Sequence, residues 1–371
     1  MSGTVGVGNI THVAVAISIG GPGATFWLIV AGFLGMASKF VECTLGVKYR
    51  QINADGSVSG GPMFYLDKGL SERGLPRLGK SLAWYYAIFL ILACLGAGNM
   101  FQANQAYVQF VNVTGGESSM FATRGWLFGS ILAILTALVI IGGIRSIARV
   151  TSKLVPFMAL LYVSTALVVI GANAAALPGA LVTIVREAFS PEGVTGGMFA
   201  VLILGFRRAA FSNEAGIGSA AIAHSAVRTK EPLTQGFVAM LEPFIDTVVI
   251  CTITALVITL TVYDPALLND GVISGVELTS SAFASVIPWF PYVLAVVVIL
   301  FAYSTMIAWS YYGLEGFIYI FGPKRWAKVT FNSIFCLFVI VGCTTQLDAV
   351  LDFSDAMIFA IALANVLGLY L

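Results

Sequence analysis

The chain has 371 residues, of which 58% are hydrophobic and only 10% charged, and its mean hydropathy is +0.94. Because soluble globular proteins carry about 25% charged residues, this composition indicates an integral membrane protein. The net charge of +1 gives no field that would attract nucleic acid or acidic partners. No P-loop, dinucleotide fingerprint or nucleophile–base–acid set can be assembled, so the sequence does not predict an enzyme.

Ten apolar stretches approach the length of a membrane-spanning helix, which needs about 20 mostly apolar residues. In chain order the predicted segments are 10–20, 24–47, 82–111, 125–143, 154–177, 196–223, 233–262, 289–320, 326–346 and 355–371. The first is only long enough for half a helix. The stretch 277–288 is too short and polar to span, and it predicts a helix lying at the surface.

Basic residues indicate how these segments are oriented. The loops after segments 2, 4, 6 and 8 carry most of the Lys and Arg residues, whereas the other loops carry acids such as Asp355. Because cytoplasmic loops are enriched in Lys and Arg, we expect the loops after even-numbered helices to be cytoplasmic. The protein is then a multi-pass protein of the plasma (inner) membrane, in contact with the lipid bilayer.

Two glycine-rich stretches predict broken helices. The first, residues 3–9, precedes segment 1; the second, residues 205–218, lies in segment 6, where Gly205 is about 14 Å deep at 1.5 Å per residue. Backbone without helical geometry is tolerated at this depth only where it is buried or lines a cavity. Broken helices at equivalent positions are typical of inverted-repeat transporters. We therefore predict two repeats, 1–177 and 196–371, although glycines that merely allow close helix packing remain an alternative.

Polar residues at the same depth suggest what such a cavity binds. Exposed amides at the start of a half-helix attract a carboxylate, and exposed carbonyls at its end attract a cation, so a broken pair suits an amino acid with sodium. Asn99 and Gln102 are predicted to share one helix face that looks into a polar cavity; hydrogen bonds between helices are the alternative. Ser304 and Thr305 could supply oxygen ligands to a small cation, although such hydroxyls also bond their own helix.

Charges inside the predicted segments need partners. The ionisable residues placed there include Lys39, Glu42, Arg207, Arg208, Glu242 and Asp246. We predict that the acids of segment 7 pair with the arginines of segment 6, and that Lys39 pairs with Glu42. The alternative for segment 7 is that one acid carries a proton or binds a cation directly.

Six blocks, in order along nearly the whole chain, resemble the alanine or glycine:cation symporter family, also called sodium:alanine symporters or amino acid carrier proteins. The blocks are GTVGVGNI, SGGPMFYL, GAGNMFQANQ, FSNEAGIGSAA, EPFIDT and AWSYYG. The resemblance implies an all-α membrane protein with the leucine-transporter-type fold, which has two inverted five-helix repeats and an extra helix. It also implies symport of L-alanine or glycine with sodium.

The resemblance further implies roles for individual residues. With Asn99 added from the polar face of segment 3, the substrate-binding set is Gly6, Val7, Gly8, Asn99, Gln102, Gly205, Phe206 and Phe211. The implied sodium ligands are the backbone of Ser2 and Val5 and the side chains of Ser304 and Thr305. The glycine amides would hold the substrate carboxylate, and the two phenylalanines would leave a pocket too small for leucine.

Family members usually carry several dozen residues before the TVGxGN motif and continue into another helix after the position of residue 371. From this departure we expect a chain truncated at both ends. Three alternatives to sodium-coupled transport remain open: a proton-coupled amino acid transporter, a truncated fragment that does not transport, and an amino-acid-binding sensor of the same fold. The sequence does not indicate an oligomeric state.

Overall fold

The computed structural model describes residues 3–53, 56–190, 194, 196–264 and 275–371, and helices dominate these ranges. The helices are α1 Gly8–Gly20, α2 Gly23–Lys48, α3 Pro62–Glu72, α4 Pro76–Leu95, α5 Phe101–Val113, α6 Gly125–Ile140, α7 Gly143–Ala172, α8 Leu177–Phe189, α9 Gly197–Asn213, α10 Ser219–Ser225, α11 Pro232–Ala239, α12 Leu241–Pro243, α13 Thr252–Thr261, α14 Val276–Ala284, α15 Phe290–Phe321, α16 Arg325–Gly342 and α17 Leu347–Tyr370. Strands Gln51–Ile52 and Val58–Ser59 form a short antiparallel hairpin.

Seven helices of the described chain are long and apolar enough to cross a membrane. Two of them are composite, because Pro76–Val113 joins α4 to α5 and Pro232–Thr261 joins α11 to α13. Two shorter apolar helices, α1 and α6, and the interrupted pair α9–α10 account for the remaining predicted segments. The prediction of an all-helical membrane protein is thus confirmed.

Large apolar side chains cover much of the outer surface of the helix bundle. Leu138, Leu160 and Ile203 are 69%, 73% and 63% exposed, and they belong to different helices. Apolar area of this extent would be unfavourable in water but not against lipid tails. The inner faces instead form one large apolar core, to which α1, α7, α13 and α15 all contribute.

The second helix break lies further along the chain than predicted. α9 is helical through Gly205 and ends at Asn213, and the non-helical residues are Glu214–Gly218. Gly205 instead allows α9 to approach α2, because a Cβ there would lie 2.6 Å from the Cβ of Trp27 and 2.7 Å from the carbonyl oxygen of Ala24. A break is present in segment 6 and lies within the predicted stretch 205–218, but it begins at Glu214 and not at Gly205.

Two stretches of wide, π-helical turns interrupt the spanning helices. They comprise Gly96–Met100 between α4 and α5, and Phe244–Cys251 between α12 and α13. In the first stretch a Cβ on Gly98 would lie 2.5 Å from Trp309 of α15, so only glycine fits there. Such turns are rare and frequently occur at functional sites.

Helix α14 corresponds to the surface helix predicted at 277–288, but only one face, with Glu277 and Ser281, is exposed, and most of the helix is buried. Val276 and Phe283 are fully buried, and the helix packs against α1, α5 and α13. Its short sequence carries enough apolar residues to bury one face, which a length criterion for spanning does not detect. α14 therefore covers the end of α1 that follows the first break.

The predicted ion pairs between segments 6 and 7 are wrong. Arg207 and Arg208 both pair with Asp355, and the Nη2 of Arg208 lies 2.5 Å from Oδ2 of that carboxylate. Asp355 was expected in a loop, but α17 begins at Leu347 and carries it into the bundle. The two arginines therefore join α9 to α17 rather than to segment 7.

The acid of α12 pairs with other groups. Oε2 of Glu242 lies 3.5 Å from Nζ of Lys39, and Oε1 lies 3.3 Å from Nε2 of His224. Lys39 therefore does not pair with Glu42 as predicted; Glu42 accepts a hydrogen bond from Nδ2 of Asn365 at 2.7 Å. Depth along a helix does not select the partner, because pairing also depends on the rotation of each helix.

Candidate binding site between the two helix breaks

A small enclosed cavity lies between the two helix breaks, with a volume of about 10 Å³. This is about the space that one water molecule requires. The residues that line it are Gly3, Thr4, Gly6, Gly8, His12, Ala97, Gln102, Phe211, Thr305 and Trp309. They come from the first break and α1, from the π-helical turn and α5, from the end of α9, and from α15.

Gly6 and Gly8, at the start of α1, line this cavity. The amides of Asn9 and Ile10 donate to the carbonyls of Gly6 and Val7 at 3.2 and 3.0 Å. The N–H of Gly6 donates to Oδ1 of Asn9 at 2.9 Å, which fixes the backbone before the helix. The positive end of the helix dipole then favours an anion such as a carboxylate.

Two buried oxygen atoms on the cavity wall have no hydrogen-bond partner among the described residues. They are Oε1 of Gln102 and Oγ1 of Thr305. The amide nitrogen of Gln102 donates to the carbonyl of Ala97 at 3.0 Å, which turns Oε1 away from that contact. Since buried polar atoms are nearly always paired in proteins, these two oxygens are suited to a ligand that donates hydrogen bonds or carries positive charge.

The first break and α15 approach each other closely, and oxygen atoms lie at their contact. A Cβ on Gly6 would overlap Oγ1 of Thr305 and lie 3.9 Å from the carbonyl oxygen of Phe301. The hydroxyl of Ser304 donates to that same carbonyl at 2.9 Å. An all-oxygen set of this kind is what hard cations prefer, so the residues present fit sodium.

Aromatic rings close another side of the cavity. The ring of His12 stacks on Phe101 with 4.4 Å between centroids and lies 4.7 Å from Phe211. Nη1 of Arg208 is 3.2 Å from Nδ1 of His12, and the guanidinium lies 5.4 Å from the centroid of Phe211. The Arg208–Asp355 pair is thereby connected directly to the cavity wall.

The carboxylate of Asp246 binds to both broken helices. Its Oδ1 accepts from Nδ2 of Asn9 at 2.7 Å, and its Oδ2 accepts from Oγ of Ser212 at 2.7 Å. The hydroxyl of Thr247 donates to Oδ2 at 2.9 Å. One buried acid therefore fixes the first turn of α1 relative to the last turn of α9.

The structure brings part of the predicted site together. The predicted residues that line the cavity are Gly6, Gly8, Gln102, Phe211 and Thr305. Val7 is fully buried and Val5 is 2% exposed, but neither lines the cavity. Ser2 lies outside the described residues. Ser304 is adjacent to Thr305 and bonds the carbonyl of its own helix.

Three predicted substrate residues lie elsewhere. Gly205 and Phe206 are inside α9, two turns before the break. Asn99 donates to the carbonyl of Phe335 in α16 at 2.7 Å, which is the alternative of hydrogen bonding between helices. Asn99 and Gln102 do not share a face, because Asn99 belongs to the wide turn Gly96–Met100 and the spacing rule assumed a regular α-helix.

Sequence reasoning missed five residues of the cavity wall, two of which helix spacing could have indicated; the five are Gly3, Thr4, His12, Ala97 and Trp309. Trp309 follows Thr305 by four residues, and His12 follows Gly8 by four residues. Residues four apart share a helix face, so both could have been found by extending the predicted site one turn along α15 and α1.

Comparison with known proteins identifies the family. The profile of the sodium:alanine symporter family matches residues 1–371. The sodium/alanine symporter AgcS of Methanococcus maripaludis is 39% identical over 374 residues, which cover 100% of this chain and 79% of that protein. The amino-acid carrier protein AlsT of Bacillus subtilis is 36% identical, covering 98% and 74%. The probable sodium/glutamine symporter GlnT of the same organism is 34% identical, covering 100% and 74%.

Among solved structures, MhsT in complex with L-phenylalanine has a similar fold. The TM-score is 0.70 at 15% identity, and the match covers 98% of this chain and 85% of that one. This likeness confirms the leucine-transporter-type fold, and the sequence resemblance to symporters rather than enzymes is confirmed by the family match. The chain belongs to the sodium:alanine symporter family.

Proposed function

We propose that the protein is a secondary active transporter that carries a small neutral amino acid, L-alanine or glycine, into the cell together with sodium. The observation that carries this proposal is the cavity between the two breaks, where Oε1 of Gln102 and Oγ1 of Thr305 have no partner among the described residues. Family membership supports the class of function. One relative is named for alanine and another for glutamine, so family membership alone does not identify the substrate. The residues of the cavity must supply that argument.

An α-amino acid matches the polar groups of the cavity. The carboxylate would lie at the start of α1, beside Gly6 and Gly8, where the helix dipole favours negative charge. The ammonium group would donate to Oε1 of Gln102. The side chain would contact Phe211 and Trp309, two aromatic residues of the cavity wall that favour a small substrate side chain.

Sodium would bind between the first break and α15. Thr305 and Ser304 would supply hydroxyl oxygens and Val5 a backbone carbonyl; the predicted ligand Ser2 lies outside the described residues. Ion binding there would hold the first break against α15 and so complete the binding site for the substrate. Because such coupling is reciprocal, sodium raises the affinity for the amino acid and the amino acid raises the affinity for sodium.

We further propose the membrane arrangement that symport requires. Residues 1–177 and 196–371 form two inverted repeats, each opening on a broken helix, so that the breaks meet near the midplane. The protein lies in the plasma membrane with the loops after even-numbered helices in the cytoplasm, as the distribution of Lys and Arg indicates. The substrate then enters from the side on which sodium is more concentrated.

Uptake of labelled alanine into proteoliposomes tests this proposal. With an inward sodium gradient, the purified protein should accumulate alanine, and unlabelled glycine should compete whereas leucine should not. Replacing sodium by potassium on both sides should abolish the accumulation. Equal accumulation in potassium would contradict sodium coupling, and preferential competition by glutamine would contradict the assigned substrate size.

Proton coupling is a second candidate, favoured by one observation: the buried carboxylate of Asp246 contacts both broken helices through Asn9 and Ser212. An inward pH gradient without sodium would then drive uptake, and Asp246→Asn would abolish driven uptake while alanine exchange continued. Uptake that requires sodium and is unchanged by the pH gradient would exclude this candidate.

A further inference from the structure

Glu214 is the first residue of the second break and has a backbone conformation that residues with a Cβ disfavour. Its φ of 58° makes it the single residue other than glycine with positive φ in the described chain. The left-handed region costs a residue with a Cβ roughly 1 kcal/mol or more relative to glycine. Glu214 is also fully buried. Both its backbone conformation and the burial of its carboxylate are therefore unfavourable in free energy.

The two carboxylate oxygens of Glu214 have different partners. Oε2 accepts from Oγ of Ser219 at 2.5 Å, which ties the break to the first turn of α10. Oε1 accepts from Nε1 of Trp309 at 3.0 Å. The ammonium group of Lys39 donates to the carbonyl of the preceding residue, Asn213, at 2.7 Å, and so places positive charge beside this buried acid.

Trp309 forms a wall of the cavity, and Glu214 determines where its N–H points. The indole packs against Gly98, where a Cβ would lie 2.5 Å from the ring. Its single N–H donates to Glu214, with the carbonyl of Gly3 as a longer partner at 3.4 Å. An indole has one donor and no acceptor, so removing the carboxylate removes the shorter of its two contacts.

We propose that Glu214 is a positioning residue that sets substrate size: by accepting the Trp309 N–H, it holds the indole wall of the cavity close to the substrate side chain. This inference rests on the proposed function as an amino acid transporter. Glu214 does not line the cavity, so it acts through Trp309. A wall held in this way excludes one additional methylene by packing, a discrimination that is worth about 10- to 200-fold.

The test compares variants that separate the hydrogen bond from the charge. Glu214→Gly removes the acceptor and suits the positive φ, Glu214→Gln keeps an acceptor oxygen without the charge, and Trp309→Phe removes the donor. The control Ser219→Ala removes only the bond to the other carboxylate oxygen. For each, the KM of sodium-driven uptake is measured for alanine and for 2-aminobutyrate, which is one methylene larger.

We expect the KM for 2-aminobutyrate divided by the KM for alanine to fall about tenfold in Glu214→Gly and in Trp309→Phe. In the double variant this ratio should fall no further. Glu214→Gln and Ser219→Ala should keep the wild-type ratio. A wild-type ratio in Glu214→Gly, additive losses in the double variant, or a loss in Glu214→Gln equal to that in Glu214→Gly would each overturn the proposal.

A second measurement needs no transport. The near-ultraviolet circular dichroism of ligand-free protein, taken as the difference between wild type and Trp309→Phe, isolates the signal of the Trp309 indole. The same difference, taken with and without Trp309→Phe in each Glu214 variant, should disappear in Glu214→Gly and persist in Glu214→Gln. Its persistence in Glu214→Gly would overturn the proposal. Absence of sodium-driven uptake by the wild type, with the expected spectra, would contradict the proposed function and leave the role of Glu214 toward Trp309 supported.

Discussion

Replacing Thr305 by valine should stabilise the ligand-free protein and weaken binding at the same time. The two side chains have nearly the same shape, and the substitution removes only the hydroxyl oxygen, which is buried without a hydrogen-bond partner among the described residues. A hydroxyl with a structural partner would instead lose a hydrogen bond on this substitution, and the protein would be destabilised. The opposite signs expected for stability and affinity therefore distinguish a ligand-binding hydroxyl from a structural one.

The expected sizes follow from general hydrogen-bond energetics. A buried polar group without a partner costs about 1–3 kcal/mol, so Thr305→Val should raise the stability of the ligand-free protein by about 1 kcal/mol. A hydrogen bond to a charged group contributes about 1.5–3 kcal/mol. Its loss should weaken sodium-dependent alanine binding by about 10- to 150-fold, at 1.4 kcal/mol for each factor of ten.

Thr254→Val is the matched control. Thr254 is also a fully buried threonine of a membrane helix, but its hydroxyl donates to the carbonyl of Ile250 at 3.1 Å and lies 2.7 Å from the hydroxyl of Tyr162. The same substitution should therefore lower stability, because it leaves the Tyr162 hydroxyl without this partner. It should leave alanine affinity unchanged.

The assay has two parts. Thermal unfolding in detergent with potassium replacing sodium reports the stability of the ligand-free state, and alanine titration in sodium reports affinity. If Thr305→Val bound alanine with wild-type affinity in sodium, the hydroxyl would have no role in binding and the assignment of the cavity would be refuted. Lower stability in potassium would show that the hydroxyl has a structural partner.

Two further substitutions test the cavity wall and the charge pair beside it. Phe211→Ala should admit 2-aminobutyrate and valine as competitors of alanine uptake, because Phe211 lines the cavity. Phe206→Ala should not admit them. If only Phe206→Ala broadened the set of competitors, the substrate would lie nearer the start of α9 than proposed. Asp355→Asn should lower the free energy of unfolding by about 3 kcal/mol, since it leaves the buried guanidinium of Arg208 without its counter-charge. Thermal unfolding measures this loss, and the exposed Asp352→Asn on the same helix is the control; equal melting temperatures of the two variants would contradict a stabilising role for the pair.

Hydropathy and glycine content predicted the spans and the existence of two breaks, because both follow from what lipid tolerates along a single helix. The position of the second break did not follow. Gly205 was taken as its start, but that glycine serves contact with Trp27. The better signal was the alternation of Gly216 and Gly218, which have φ values of 85° and 78°, since a positive φ disfavours side chains.

Partners of buried charges could not be predicted in the same way. Depth along the chain brought Arg208 and Glu242 to similar levels, yet one pairs with Asp355 and the other with Lys39 and His224. Depth fixes one coordinate of a side chain, while pairing also requires the rotation of each helix and the identity of its neighbour. Those come from packing among many helices, for which no local pattern in the sequence exists.

The wide turn at Gly96–Met100 has a consequence for how the protein tolerates insertions and deletions. A π-helical turn holds one residue more than an α-helical turn, so removing Ala97 would leave enough chain for a regular helix. Side chains beyond that point, Gln102 among them, would keep nearly their present orientation, whereas the same deletion in a regular helix would rotate them by about 100°. A deletion of one codon is therefore expected to be tolerated better at this turn than in the regular helices on either side of it.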